Sequence, residues 1–268
     1  MNPFYFGRSQ RPLFGIYHPP HARPVRKTGV VLCPPIGHEY ARTHRVLRHL
    51  ALSLADAGCH VMRFDWYGVG DSGGDGSDVD LPGWIADVGT AIEEIKDTSG
   101  VTRVSLVGVR LGAAIAMSAA AKRRDVENVV LWDPIVRGST YLSDVIALNE
   151  KFLGNEYPPP RSRSENPERD GVLGQPLPAT LRDQLAAFSL TSLTTCGARA
   201  VHVVASAPHS HFDELSAHLA TLPVRSTCQV LGRGGDWDAV DRIVSALMPQ
   251  QTQPLLQGMA ELAMAEAE

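Results

Sequence analysis

Short apolar runs rich in β-branched residues recur along the chain, at Arg11–His18, Gly29–Cys33, His60–Asp65, Arg103–Gly108, Asn128–Asp133, Ala200–Ser206 and Arg225–Leu231. Between them lie longer segments in which apolar residues return at helical spacing, near 43–57, 84–97, 110–123, 178–189, 212–221 and 236–247. Buried strands alternating with crossover helices make a mostly parallel sheet. Phe4–Phe6 followed by Arg11–Tyr17, with turn residues between, predicts an antiparallel hairpin at the start.

Two stretches break the alternation. Gly138–Gly197 separates consecutive strands, and its middle holds Pro158, Pro159, Pro160, Pro167, Pro176 and Pro178 among many charges. A structureless insertion of that size inside a domain is usually functional, so a lid is expected at 138–197 over a core formed by 1–137 and 198–249. Residues 250–268 form a tail of alternating apolar and acidic character, read either as a short docking helix or as a frayed end.

Composition narrows the function classes. The 268 residues carry a net charge of −4, with 44% hydrophobic and 20% charged residues, which is ordinary globular composition. No cluster of Lys and Arg gives the footprint of a nucleic-acid binder. No apolar run is long enough for a membrane span and the N-terminus lacks a secretory pattern, so a cytoplasmic protein is expected. Cys33, Cys59, Cys196 and Cys228 are far apart, which argues against a zinc knuckle or a redox pair. No metal site is expected. The glycines of Gly68–Gly70 and Gly232–Gly235 lack the spacing and setting of a dinucleotide fingerprint, so no cofactor is expected.

Four pieces carry a resemblance. Leu32-Cys33-Pro34-Pro35-Ile36-Gly37-His38-Glu39 is a strand running into a loop; Phe64-Asp65-Trp66-Tyr67-Gly68-Val69-Gly70-Asp71-Ser72-Gly73-Gly74 is a strand end with a turn. Val104-Ser105-Leu106-Val107-Gly108-Val109-Arg110-Leu111-Gly112-Ala113 reads as strand, sharp turn and helix, and Gly232-Arg233-Gly234-Gly235-Asp236-Trp237 as a loop after the last strand. In this order they resemble the α/β-hydrolase superfamily, in its serine-aminopeptidase-like branch. The resemblance implies an eight-stranded α/β sheet with an inserted lid, an oxyanion loop at Ile36–Glu39, a nucleophile elbow at Arg110 and a histidine loop at Asp236. The pairing of Gly108-Val109-Arg110-Leu111-Gly112 with Leu131–Leu142 is similar to hydrolase-like proteins with Gly-x-Arg-x-Gly, including those associated with exosortase A systems and with nonribosomal-peptide and polyketide synthases.

The residues that carry the family's chemistry depart from its pattern. A guanidinium has donors only and stays charged, so Arg110 is neither nucleophile nor general base. Asp236 stands where the histidine is expected, and no acid is evident after Ala200–Ser206. A cation at a helix N-terminus requires facing anions. Asp133, at the end of the neighbouring strand, and Asp236 are placed by the fold to supply them.

Three readings of this site follow. Arg110 is a structural clamp in a site without chemistry, or it binds an acyl or anionic small molecule, free or attached to a carrier protein, in a specialised-metabolite or exopolysaccharide pathway. Ile36, Gly37, His38, Val109, Leu111, Trp132 and Trp237 would then surround the ligand. The third reading is an acyl-transfer or esterase-like enzyme with relocated residues, of which Cys33 with His38 is the nearest pair. Other candidates read as structural: Ser105 and Ser118 as packing, Asp65, Asp71 and Ser72 as turn anchors, Trp66 as a wall or core residue, His209 and His211 as loop histidines, and His44, Arg48 and His49 as a basic helix flank.

Overall fold

A computed structural model describes residues 1–155, 171–230, 235–238, 245–247 and 252–265. Its strands are β1 (Asn2–Arg8), β2 (Arg11–His18), β3 (Thr28–Cys33), β4 (His60–Phe64), β5 (Arg103–Val109), β6 (Val126–Trp132), β7 (Ala200–Ala205) and β8 (Arg225–Val230). They form one eight-stranded sheet in the order β1-β2-β4-β3-β5-β6-β7-β8. β1 pairs antiparallel with β2 and β2 antiparallel with β4, whereas every pair from β4 to β8 is parallel. This is the α/β-hydrolase fold implied by the four motifs.

The described helices are α1 (Gly37–Asp56), α2 (Leu81–Ser99), α3 (Leu111–Ala120), α4 (Gly138–Asn155), α5 (Ala179–Ala187), α6 (Ser210–Leu219) and α7 (Gln253–Met264). Alternate residues of the central strands face two separate cores. Val31, Cys33, Leu106 and Leu131 join the side covered by α2 and α3; Val30, Leu32, Val107 and Val130 join the side covered by α1 and α7. Burial on both faces is why these strands read as continuous apolar runs instead of alternating ones.

Three expectations about the elements change. α1 begins at Gly37 and not near 43, because its first turn, with Glu39, is polar and the apolar repeat becomes visible only at Val46. The insertion is not structureless: α4 occupies its first third, buries Tyr141, Leu142, Val145 and Leu148 at helical spacing, and packs against α5. Its prolines at 158–167 and the middle half of the helix expected at 236–247, residues 239–244, lie outside the described residues. In the tail, α7 buries Leu255, Leu256, Met259 and Ala263 against α1 and β6, so the docking alternative applies there.

Local polar contacts fix the loop that follows β4. Ser72 donates to the Asp65 carbonyl (2.6 Å) and accepts from the Phe14 N–H (2.8 Å), while the Asp65 carboxylate accepts from Asp71 N (3.0 Å) and the Tyr40 hydroxyl (2.7 Å). These residues serve the turn.

One buried group links this edge of the sheet to pH. His18, at the end of β2, accepts a 3.2 Å hydrogen bond from Arg63 Nε of β4. Burial, with the Arg63 charge second, lowers its pKa from 6.5 to about 4. The unfolded chain therefore takes up a proton that the folded chain refuses. Stability present above pH 6.5 is lost as the pH falls towards 4. Urea unfolding of wild type and His18→Gln should show the variant losing less stability over that interval.

Candidate functional site

The site grows from the junction of β5 and α3. Arg110 caps α3 with φ 53° and ψ −120°, a backbone conformation disfavoured for any residue with a Cβ. Four hydrogen bonds hold it there. Its N–H donates to Trp132 O (2.9 Å), and its carbonyl accepts from Ala113 N (3.1 Å), Ala114 N (3.3 Å) and Ile135 N (3.3 Å). Glycine on either side is a steric need: a Cβ at Gly108 would strike the Ala113 backbone, and one at Gly112 the carbonyls of Cys33 and Pro34. The strained turn of a nucleophile elbow is thus complete, with an arginine at its apex.

The guanidinium meets a carboxylate from α1. Arg110 Nε donates to Glu39 Oε1 at 2.7 Å, and the two side chains are 15% and 1% exposed. Glu39 lies in the first turn of α1, where the helix dipole favours an acid. The guanidinium carbon stands 5.2 Å from the centre of the Trp237 ring, and Nη1 approaches Asp133 O at 3.5 Å. Burial opposes the charge on Arg110, but the Glu39 carboxylate more than offsets it and raises the pKa above the ordinary arginine value. The cation is permanent. The phenol of Tyr141, buried beside this pair, is pushed far up by burial and then by the Glu39 charge, so it stays protonated.

Asp133 is engaged elsewhere. Its carboxylate accepts from Ser206 N (2.8 Å), Ser206 Oγ (2.6 Å) and Trp237 Nε1 (2.8 Å). Trp132 Nε1 also donates to Ser206 Oγ (2.9 Å), and the rings of Trp132 and Trp237 meet edge to face at 5.5 Å. The ion-pair partner of Arg110 is therefore Glu39, where Asp133 or Asp236 was expected. Asp236 is exposed, and its backbone carbonyl accepts from Arg42 Nη1 (2.6 Å). Its neighbour Trp237 turns inward instead and presents an N–H to the strand-end acid, as the ring N–H of a triad histidine would.

An indole N–H is a donor without an acceptor lone pair, so Trp237 takes no proton from anything at the elbow. Arg110 has no nucleophilic lone pair to offer. Among the described residues, the elbow apex and the indole facing Asp133 are both donors only.

The relocated pair does not assemble. Cys33 is 0% exposed, and burial pushes its thiol well above the ordinary range, which removes the thiolate. His38 is buried as well; burial lowers its pKa despite the neighbouring Glu39, so the ring is neutral. Neither lines the cleft described next.

A cleft of about 530 Å³ opens over the C-terminal ends of β5, β6 and β7. Arg110, Asp133, Ile135, Val136, Tyr141 and Trp237 form its largely buried floor. Arg137, Asp144, His209 and Asp238 stand exposed at its rim. Of the eight residues expected around a ligand, Arg110 and Trp237 line this space, whereas Ile36, His38, Val109, Leu111 and Trp132 are buried and do not line it, nor does Gly37. Glu39, Tyr141 and Ser206 were not singled out from the sequence. A buried arginine demands an acid, and Glu39 is the carboxylate in the oxyanion loop.

A family model described as serine aminopeptidase, S33, matches residues 27–171, more than half of the chain. Similar solved structures include the α/β-hydrolase domain-containing protein 10 from mouse, 15% identical with a TM-score of 0.61 and 98% of each chain covered. Est1E from Butyrivibrio proteoclasticus is 15% identical with a TM-score of 0.62 and 97% of each chain covered. An α/β serine hydrolase homologue from Coxiella burnetii is 14% identical with a TM-score of 0.55, covering 98% of this chain and 95% of that one. At these identities the likeness is one of fold. No curated protein gives a significant sequence match.

The pair at the elbow has a measurable stability signature. Glu39→Gln leaves a mostly buried cation without its counter-charge and should cost about 3–5 kcal/mol. Arg110→Met combined with Glu39→Gln should cost clearly less than the sum of the two single changes, as urea unfolding of the four proteins would show.

Proposed function

The chain belongs to the serine aminopeptidase S33 family of α/β-hydrolases, and from that premise we propose that it is a binding member of the family, holding a small acyl or anionic ligand on Arg110 without hydrolysing it. One observation carries the reading: the apex of the elbow, at the floor of the cleft, is a permanent cation whose Nε is fixed by Glu39. That bond leaves the terminal guanidinium nitrogens for a ligand. Nη1 makes only a 3.5 Å contact with a backbone carbonyl. A carboxylate, phosphate or acyl carbonyl in the cleft would accept from this fork and lie at the N-terminus of α3, where the helix dipole favours negative charge.

The rest of the cleft suits an acyl body. Ile135, Val136, Phe212 and the Trp237 ring supply apolar wall, and the volume falls within the roughly 300–1,000 Å³ of ordinary small-molecule sites. The Glu39 carboxylate has two effects. It holds the guanidinium in one orientation, and it reduces the net charge at the floor, so a neutral acyl carbonyl on a carrier competes with a free carboxylate. Hydrolysis would require a nucleophile and a base; the elbow arginine and the loop indole are donors only, and the Asp133 carboxylate is held by Ser206 and Trp237.

Trp132 and Trp237 make binding visible by intrinsic fluorescence. Titration with straight-chain carboxylates of four to twelve carbons and with acyl thioesters of N-acetylcysteamine should give saturable changes. Arg110→Met in the Glu39→Gln background, which avoids an unpaired carboxylate, should weaken them about tenfold or more, about 1.4 kcal/mol. Wild type and Arg110→Ser should both leave p-nitrophenyl esters intact. Ester turnover by wild type, or binding indifferent to Arg110, would overturn the reading.

A further inference from the structure

The ends of the strands remote from the cleft carry a row of cations. Lys27 immediately precedes β3, Arg103 opens β5, Arg199 immediately precedes β7 and Arg225 opens β8. The register sets Thr28 beside Arg103, Asn128 beside Ala200 and Ala200 beside Arg225, so these residues lie along one edge of adjacent strands. The intervening strand β6 contributes Glu127. Five strands at about 4.8 Å intervals spread the row over roughly 19 Å.

Two clefts follow the row, of about 660 Å³ and 840 Å³, and share Arg103 and Arg199 in their walls. Arg23 joins the first and Arg124 the second. Among the described lining residues Glu127 is the only carboxylate. It is engaged by both Arg103 and Arg199. Arg23, Lys27, Arg124 and Arg225 are exposed and have no carboxylate partner among the described residues. Helix C-termini on this side favour cations, which accounts for Arg26, whose Nε donates to Ala57 O at the end of α1. It does not account for exposed cations that touch no helix end. In a chain of net charge −4, this concentration runs against the average.

We infer that this row is a docking surface for an acidic helix of a partner protein. Carboxylates at positions i and i+4 of a helix stand about 5–6 Å apart, close to the interval between strands, so a helix lying across the strand ends would meet a cation at every strand of the row except β6, where Glu127 stands between Arg103 and Arg199. The apolar wall of the first cleft, with Val30, Cys59 and Met264, receives side chains between the carboxylates. Neither cleft has an aromatic residue among its described lining residues, which removes the stacking platform that a single-stranded nucleic acid would use. The surface is cationic with Val25 as its one large exposed hydrophobic among the described lining residues, where an interfacial membrane face presents a broad apolar stripe. Occupation of this face would leave the Arg110 cleft open, because the two lie at opposite ends of the strands.

A fluorescein-labelled, alanine-rich helical peptide with glutamate at every fourth position serves as the probe, followed by anisotropy at about 20 mM salt and then at about 200 mM. It should bind the full chain at low salt and weaken as salt is added. The triple variant Lys27→Glu, Arg199→Glu and Arg225→Glu should lose about tenfold or more in affinity, and Arg45→Glu, at an exposed cation of α1 outside the row, should bind as wild type does. The single changes Lys27→Gln and Arg225→Gln, both on exposed side chains, should give smaller losses in the same direction and guard against misfolding of the triple variant. Absence of binding at low salt, or affinity unchanged by these substitutions, would overturn the inference. So would equal or tighter binding of a single-stranded oligonucleotide or of phosphatidylglycerol vesicles.

Discussion

A guanidinium lodged at the end of a parallel strand is stable only if a carboxylate meets it inside the protein, and here that carboxylate is Glu39. The 2.7 Å bond between Arg110 Nε and Glu39 joins the elbow after β5 to the first turn of α1, two elements that flank β3. Taking both charges out of water costs several kcal/mol per ion, so either residue alone is strongly destabilising without the other. The geometry around the pair depends on it. Trp237 stacks within cation–π distance of the guanidinium, Tyr141 of α4 is buried against the carboxylate, and the floor of the cleft takes its charge from their balance.

The backbone also explains how a strained elbow persists with an arginine at its apex. The positive φ of Arg110 is imposed by backbone hydrogen bonds to β6 and α3 and by the two flanking glycines, none of which involves the side chain. Changing the apex residue therefore changes the chemistry and leaves the turn. Trp237 makes the matching change in the opposite loop, supplying the N–H that Asp133 requires while lacking the second ring nitrogen that would accept a proton.

Much of this was legible from residue pattern. Continuous apolar runs marked the central strands, and the Gly-x-Arg-x-Gly turn marked the elbow because close approach of α3 to the end of β3 leaves no room for a Cβ at Gly112. The identity of the counter-ion was not legible. Asp133 and Asp236 are near Arg110 in topology, but choosing among nearby acids requires knowing which side chains already have donors, and Ser206 and Trp237 satisfy Asp133. Adjacent positions in a glycine-rich loop also differ by which one points inward, which the pattern Gly-Gly-Asp-Trp does not disclose. The helix α4 was obscured by the prolines that follow it, although Tyr141, Leu142, Val145 and Leu148 keep a helical period.

The central claim is that the elbow presents a fixed cation and no nucleophile. A fluorophosphonate, which phosphonylates an activated hydroxyl at such an elbow, tests it directly when the purified chain is incubated with excess reagent and weighed intact by mass spectrometry. The account predicts an unchanged mass. A single stoichiometric adduct, mapped by peptide sequencing to a residue lining the cleft, would contradict it.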